Sequence, residues 1–173
     1  VNTIQAETGS TVTVASGHAL DASNGFTPPA GHVVQVVTNK TANNAMFSTT
    51  STSYVTSGNL PGATITPKFS NSKILIQAMV GMQNDATGQI ENTIYRTTGG
   101  VATDLSGGSS YGLAFKGVGT GTFWAECSIL WDDSPGTTSA VEYKWYSRSE
   151  TGASVNAAHN SCSISITLIE IAQ

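Results

Sequence analysis

From His32 onward the chain alternates apolar and polar residues with a period of two, in short runs separated by Gly, Ser, Asn and Pro. That is the pattern of half-buried β-strands, and no segment carries the 3.6-residue repeat of an amphipathic helix. Strands are predicted over 33–37, 45–55, 63–66, 73–80, 88–97, 109–116, 122–131, 138–147 and 161–171. The runs Asn59-Leu60-Pro61-Gly62, Gly99-Gly100, Gly107-Gly108 and Ser134-Pro135-Gly136 supply the turns between them. About eight or nine short strands with no room for crossover helices specify an all-β chain, an antiparallel β-sandwich or jelly-roll-like domain over residues 33–173.

Two strands can be given faces. Val141, Tyr143 and Trp145 alternate with Glu142, Lys144 and Tyr146, and the odd positions from Phe123 to Trp131 alternate with Trp124, Glu126 and Ser128. The odd set is the predicted core in both, because side chains two residues apart share one side of a sheet. Lys73 to Val80 is apolar on both faces and therefore belongs at a sheet centre, between two layers or beneath a subunit contact. In the last strand Ile164, Ile166 and Leu168 share one face while Ile169 and Ile171 share the other, which predicts a bulge or a second buried face. Ile169 and Ile171 are accordingly the candidate oligomer contacts of a dimer or trimer.

Residues 1–32 read differently. Thr11-Val12-Thr13-Val14 is one short alternating run, and Asp21 to Gly31 with Asn24-Gly25 and Pro28-Pro29 is loop. A segment with so few bulky residues buries little surface alone, so it is expected to be an extended arm ordered by docking on a partner or a sister chain. Val1 fits removal of an initiator Met from a complete small protein, and the first residues have neither the basic start nor the apolar run of a signal peptide. No apolar run reaches the roughly 18 residues that span a bilayer, so membrane insertion is not expected.

Composition narrows the function. The chain has 173 residues, which suffices for one core, and Ser, Thr and Gly occupy 63 of them. Seven Lys and Arg against 11 Asp and Glu leave a formal net charge of -4, without the basic field that nucleic-acid binding requires. Cys127 and Cys162 lie 35 residues apart with no companion Cys-x-x-Cys and fall in phase with apolar neighbours, so they read as free core thiols, a disulfide between their strands being the alternative. His18, His32 and His159 are scattered, and no nucleophile elbow, phosphate loop or zinc-protease motif is present. Asp132-Asp133-Ser134-Pro135-Gly136 reads as a turn closing a hairpin, and Glu126 as the partner of Lys144 or Arg148 on a solvated face. The chain is therefore read as non-catalytic, with no cofactor and no metal.

Binding falls to the aromatics that lie opposite the core faces or in loops: Tyr111, Trp124 and Tyr146 are the candidate ligand or interface contacts. Exposed Tyr and Trp rings stack on sugars and also mark protein interfaces, which leaves a carbohydrate-binding module in view.

Several strings recur together. They are Thr3-Ile4-Gln5, Thr11 to His18, Val34-Gln35-Val36-Val37, Ser51-Thr52-Ser53-Tyr54-Val55, Ile65-Thr66-Pro67, Ser72-Lys73-Ile74-Leu75-Ile76, Asp133 to Ser139 and Ile166 to Ala172. In this order and spacing the chain resembles the tail-fibre and appendage proteins of tailed bacteriophages, particularly those of marine and cyanobacterial hosts, over nearly its whole length. The resemblance implies a virion structural protein with an N-terminal attachment segment that binds other virion proteins. It also implies a compact β-domain presented as a trimer that contacts a host-surface glycan or protein, and it carries over no catalytic residue. Similar modules end longer fibres, whereas only a short arm precedes this domain, so a capsid decoration protein or head fibre is the alternative.

Overall fold

A computed structural model of the chain describes residues 16–17, 27–41, 46–84, 89–116, 123–157 and 164–173. The described elements are all strands: β1 (Val33–Thr41), β2 (Phe47–Thr49), β3 (Gly62–Ile65), β4 (Lys73–Asn84), β5 (Ile90–Thr98), β6 (Val101–Asp104), β7 (Ala114–Lys116), β8 (Phe123–Asp133), β9 (Val141–Ser149), β10 (Val155–Ala157) and β11 (Ile164–Ile171). Every pairing between them is antiparallel.

One sheet runs β1-β11-β4-β8, with β10 and β2 continuing it beyond the end of β11. The other runs β3-β9-β5, and β6 and β7 share the far edge of β5. The chain passes from sheet to sheet as β1, β3, β4, β5, then β7 within the second sheet, then β8, β9 and β11. This is the double Greek-key wiring of a jelly roll.

β4 is the central strand that its apolar run predicts. It pairs with β11 from Lys73↔Ile171 to Met79↔Ser165 and with β8 along Ile74↔Asp133 to Asn84↔Phe123. Its even positions Ile74, Ile76, Ala78, Val80 and Met82 are buried between the sheets, while Leu75 and Met79 are half-buried on the outer face. From the facing sheet Val141, Tyr143 and Trp145 point inward and are buried, as their alternation requires. The β5–β6 hairpin is closed by Gly99-Gly100, both at positive φ (58° and 82°), a conformation that two-residue hairpins demand and glycine supplies without steric cost.

Four sequence expectations are corrected. β11 does not change phase: Glu170 takes the inward position after Leu168, so Ile169 and Ile171 simply remain on the outer face. The register shift lies in the partner strand instead, between Val33 and Gln35 of β1. Asp132 and Asp133 end β8 within the ladder, and the loop after them crosses between sheets instead of closing a hairpin. Glu126 and Arg148 lie on different sheets, and the carboxylate that meets Arg148 is Glu91, across from it on β5. Trp131, assigned to the core with its odd-numbered neighbours, is 42% exposed because β8 is an edge strand.

Several buried polar groups are paired across the interior. Asn92 Oδ1 accepts from Trp145 Nε1 (3.1 Å) and Ser147 Oγ (2.8 Å) inside the sandwich. Asp133 accepts from Arg96 Nη1 (2.9 and 3.0 Å) and Tyr143 Oη (2.7 Å), which ties the end of β8 to the opposite sheet. Such contacts fix which residues face each other across an otherwise apolar interior. The expected N-terminal arm lies outside the described residues except for 16–17 and 27–32. Its last residues are held by Gly31 N donating to Ala172 O (2.8 Å) and Ala172 N donating to His32 O (2.9 Å).

Candidate functional site

The space between the sheets is filled. Trp145, Tyr143, Ile74, Ile76, Ile94, Ile166 and Leu168 meet there with almost no solvent exposure, leaving contact chemistry to the outer faces, the edges and the loops. Three outer surfaces hold the candidate residues.

The first is the outer face of the β3-β9-β5 sheet. Tyr146 on β9 lies against Tyr95 on β5, ring centroids 4.2 Å apart, and Tyr54 meets Tyr95 edge-on at 6.4 Å. Period-two alternation puts Tyr146 and Arg148 on this face, and the pairing Thr93↔Tyr146 and Glu91↔Arg148 places their partners. Arg148 organises the group. Its Nε donates to the buried Glu91 Oε2 at 2.5 Å, its Nη2 to Ser110 O at 2.6 Å, and its guanidinium lies 4.6 Å from the Tyr54 ring centroid. Burial pushes the Tyr54 hydroxyl up to about 12, against the pull of Arg148 and with Glu91, Asp104 and Tyr95 adding to the rise. Tyr54 Oη is buried with no hydrogen-bond partner among the described residues. It sits where a Cβ on Gly112 would come within 2.5 Å, so the loop carrying Gly112 can close on it only as glycine.

The second surface follows the adjoining loop. Tyr111 is 49% exposed and stacks on Phe115, 52% exposed, at a centroid distance of 4.9 Å. The Arg148 hydrogen bond to Ser110 O brings the backbone beside Tyr111 to the tyrosine cluster.

The third is the outer face of the β1-β11-β4-β8 sheet together with its β8 side. Trp124 is 56% exposed near the start of β8, where Met82, Ala125 and Glu126 join it around a depression of about 330 Å³. Ile169 pairs with Val36 and Leu75, and Ile171 with Val33 and Lys73, at the other end of the same face, where the two isoleucines and Leu75 are half-buried and Val33 and Val36 are exposed. Trp124 and the two isoleucines thus share a sheet but lie at opposite ends of it, and Tyr146 is on the opposite side of the sandwich.

Sequence reasoning missed Tyr54, Tyr95, Phe115, Leu130 and Trp131 as surface residues. Leu130 was legible, since it shares the even, outward positions of β8 with Trp124. Tyr95 becomes a neighbour of Tyr146 only through a pairing between distant strands. Cys127 is buried as expected, and burial pushes its thiol up to about 11, with Lys116 pulling the other way. Cys162, His18 and His159 lie outside the described residues, and His32 is exposed. Among the described residues no group of three His, Cys, Asp or Glu could hold a metal ion. No described helix is long and apolar enough to cross a membrane.

No family model matches the chain, and no curated protein matches it. Among solved structures it is similar to a structure of infectious bursal disease virus, Gx strain, at 15% identity and a TM-score of 0.38. That alignment covers 92% of this chain and 43% of the other, so this chain spans less than half the length of the one it matches.

Proposed function

We propose that the chain is a virion structural protein, an outward-facing appendage of a tailed bacteriophage used in host attachment. The observation that carries this reading is a jelly roll whose interior is closed by its own side chains while its aromatics gather outside. A folded module of this kind works by presenting surfaces. Tyr54, Tyr95 and Tyr146, with Arg148 over the Tyr54 ring, form an aromatic ridge of the sort that stacks on sugar rings, and Tyr111 with Phe115 adds a second aromatic pair. The order of sequence strings shared with phage appendage proteins supports the same reading. Residues 1–32 then serve as the attachment segment, joining the domain to other virion proteins.

A capsid decoration protein is the second reading, favoured by one observation: no described strand pairs with the outer side of β8, an 11-residue strand that a neighbouring shell protein could extend. Immunogold electron microscopy of intact virions, with antibody raised against residues 32–173, separates the two. Label on the tail or its tip is the expected result. Label over the head selects decoration, and particles without label overturn the virion assignment.

A further inference from the structure

Among the described residues two long strands of the β1-β11-β4-β8 sheet, β1 and β8, pair on a single side, and β8 is the longer at 11 residues. Its inner edge is laddered to β4 over its whole length, and no described strand pairs with its outer edge. Folded proteins usually shorten, bend or charge such an edge, because a row of open N–H and C=O groups is a template for another strand. Here it carries three large exposed hydrophobics, Leu130 at 67%, Trp124 at 56% and Trp131 at 42%. They stand in two spots, Trp124 near the start of the strand and Leu130-Trp131 near its end, with Glu126 and Ser128 between them.

We propose that β8 pairs antiparallel with β8 of a second copy of this chain, about a two-fold axis at Cys127. The order Phe123-Trp-Ala-Glu-Cys-Ser-Ile-Leu-Trp131 is chemically palindromic about that residue. Antiparallel pairing sets Trp124 opposite Leu130 of the partner subunit, Ala125 opposite Ile129 of the partner subunit, and residue 123 opposite residue 131. Trp124 therefore meets Leu130 of the partner subunit, twice, on the outer face of a continuous sheet, and Trp131 lies on its other face. Glu126 faces the partner's Ser128, and Asp132 and Asp133 fall outside the paired segment, so no carboxylate opposes another.

Neighbouring registers are worse. A slip by one residue turns inward-facing side chains outward. A slip by two residues one way sets Glu126 against Glu126 of the partner subunit, and the other way sets Glu126 against Leu130 and Asp132 against Trp124. Nine paired residues at strand spacing make a contact roughly 27 Å long, and it covers the largest exposed hydrophobics of this sheet. This contact does not depend on whether the domain belongs to a tail, a head or neither.

Sedimentation of the full chain across a dilution series tests it, with Ser128 as the register-specific probe because its side chain is exposed and it faces the partner's Glu126. The expected result is a two-chain particle whose dissociation constant falls several-fold in Ser128→Lys, rises several-fold in Ser128→Glu and rises at least ten-fold in Leu130→Asp. Unchanged thermal melts of the three variants' monomers establish that they fold. A monomer at every concentration, or an assembly that responds alike to both Ser128 substitutions, overturns the proposal.

Discussion

Ser72 donates its hydroxyl to Glu170 Oε1 at 2.7 Å, and both residues are buried. The same carboxylate accepts from Lys68 N (2.7 Å) and Phe69 N (3.3 Å), and its Oε2 accepts from Gln35 Nε2 (2.5 Å). One inward-facing charge thus ties the last strand to β1 and to the loop between β3 and β4. Replacing it by Ala strands four donors, and Glu170→Ala should cost about 2–4 kcal/mol in denaturant unfolding.

Acid should reveal the same group. Burial alone would raise the Glu170 carboxyl, but the hydrogen bonds from Ser72, Gln35, Lys68 and Phe69 outweigh it and hold the group below its ordinary 4.5. A carboxylate depressed by folding contributes stability above its unfolded pKa, and that contribution is lost as pH falls through the folded value. Unfolding free energies of the wild type should therefore drop below about pH 4.5 more steeply than those of Glu170→Gln. Parallel pH profiles would remove Glu170 from the account of acid stability.

The Asn92 cluster makes a second, independent prediction. Asn92→Ala removes the acceptor that Trp145 Nε1 and Ser147 Oγ share inside the core and leaves Trp145 Nε1 only Ser147 Oγ (3.1 Å), whereas Ser147→Ala removes a hydroxyl and leaves Trp145 Nε1 bonded to Asn92. Expected losses are about 3 kcal/mol for Asn92→Ala and about 1 kcal/mol for Ser147→Ala. Equal losses in chemical denaturation would show that the shared acceptor is not what matters.

Glycine is needed at one loop position and merely convenient at another. Gly112 has φ +70°, and a Cβ there would lie 2.3 Å from Asn92 O and 2.5 Å from Tyr54 Oη. Gly108 has φ +83° with open space around it. Gly112→Ala should lower stability by about 3 kcal/mol or more, and Gly108→Ala by about 1 kcal/mol. The difference is read from paired thermal melts.

Cys127 supplies a chemical readout of core integrity. With its thiol pushed up to about 11, the folded protein at pH 8 should alkylate far more slowly at this position than the unfolded chain. Thiolate availability alone accounts for on the order of a 100-fold difference. A Cys162→Ser background isolates the signal, and mass spectrometry after timed iodoacetamide exposure measures it. Equal rates in folded and unfolded protein would place the thiol in contact with solvent.

Much of this architecture is local enough to be legible in the residues. The faces of Val141, Tyr143 and Trp145, the central place of Lys73 to Val80 and the Gly99-Gly100 hairpin follow from periodicity and turn chemistry alone. Other features depend on what lies across the sheet. Glu170 looks like a break in phase until its donors in the loop before β4 and on β1 come into view, since a charged inward residue is indistinguishable from a slipped strand. Trp131 keeps the core phase of its neighbours and is still exposed, because an edge position is decided by pairing. Tyr146 reads as outward, but the ridge it belongs to is assembled from Tyr95 and Tyr54, which only the fold brings beside it.

The seam between β1 and β11 has a mechanical consequence. Gly31 and His32 are hydrogen-bonded to Ala172, so the two ends of the sandwich leave from one corner. Tension applied between those ends would peel the two strands apart from that corner, one hydrogen bond at a time, as a zip opens at low force. A load that enters through one of those ends and leaves through the tyrosine ridge does not open this zip, because only one side of the seam is pulled. A domain tethered at this corner and gripping through its outer face is thus loaded along a path that spares its weakest line.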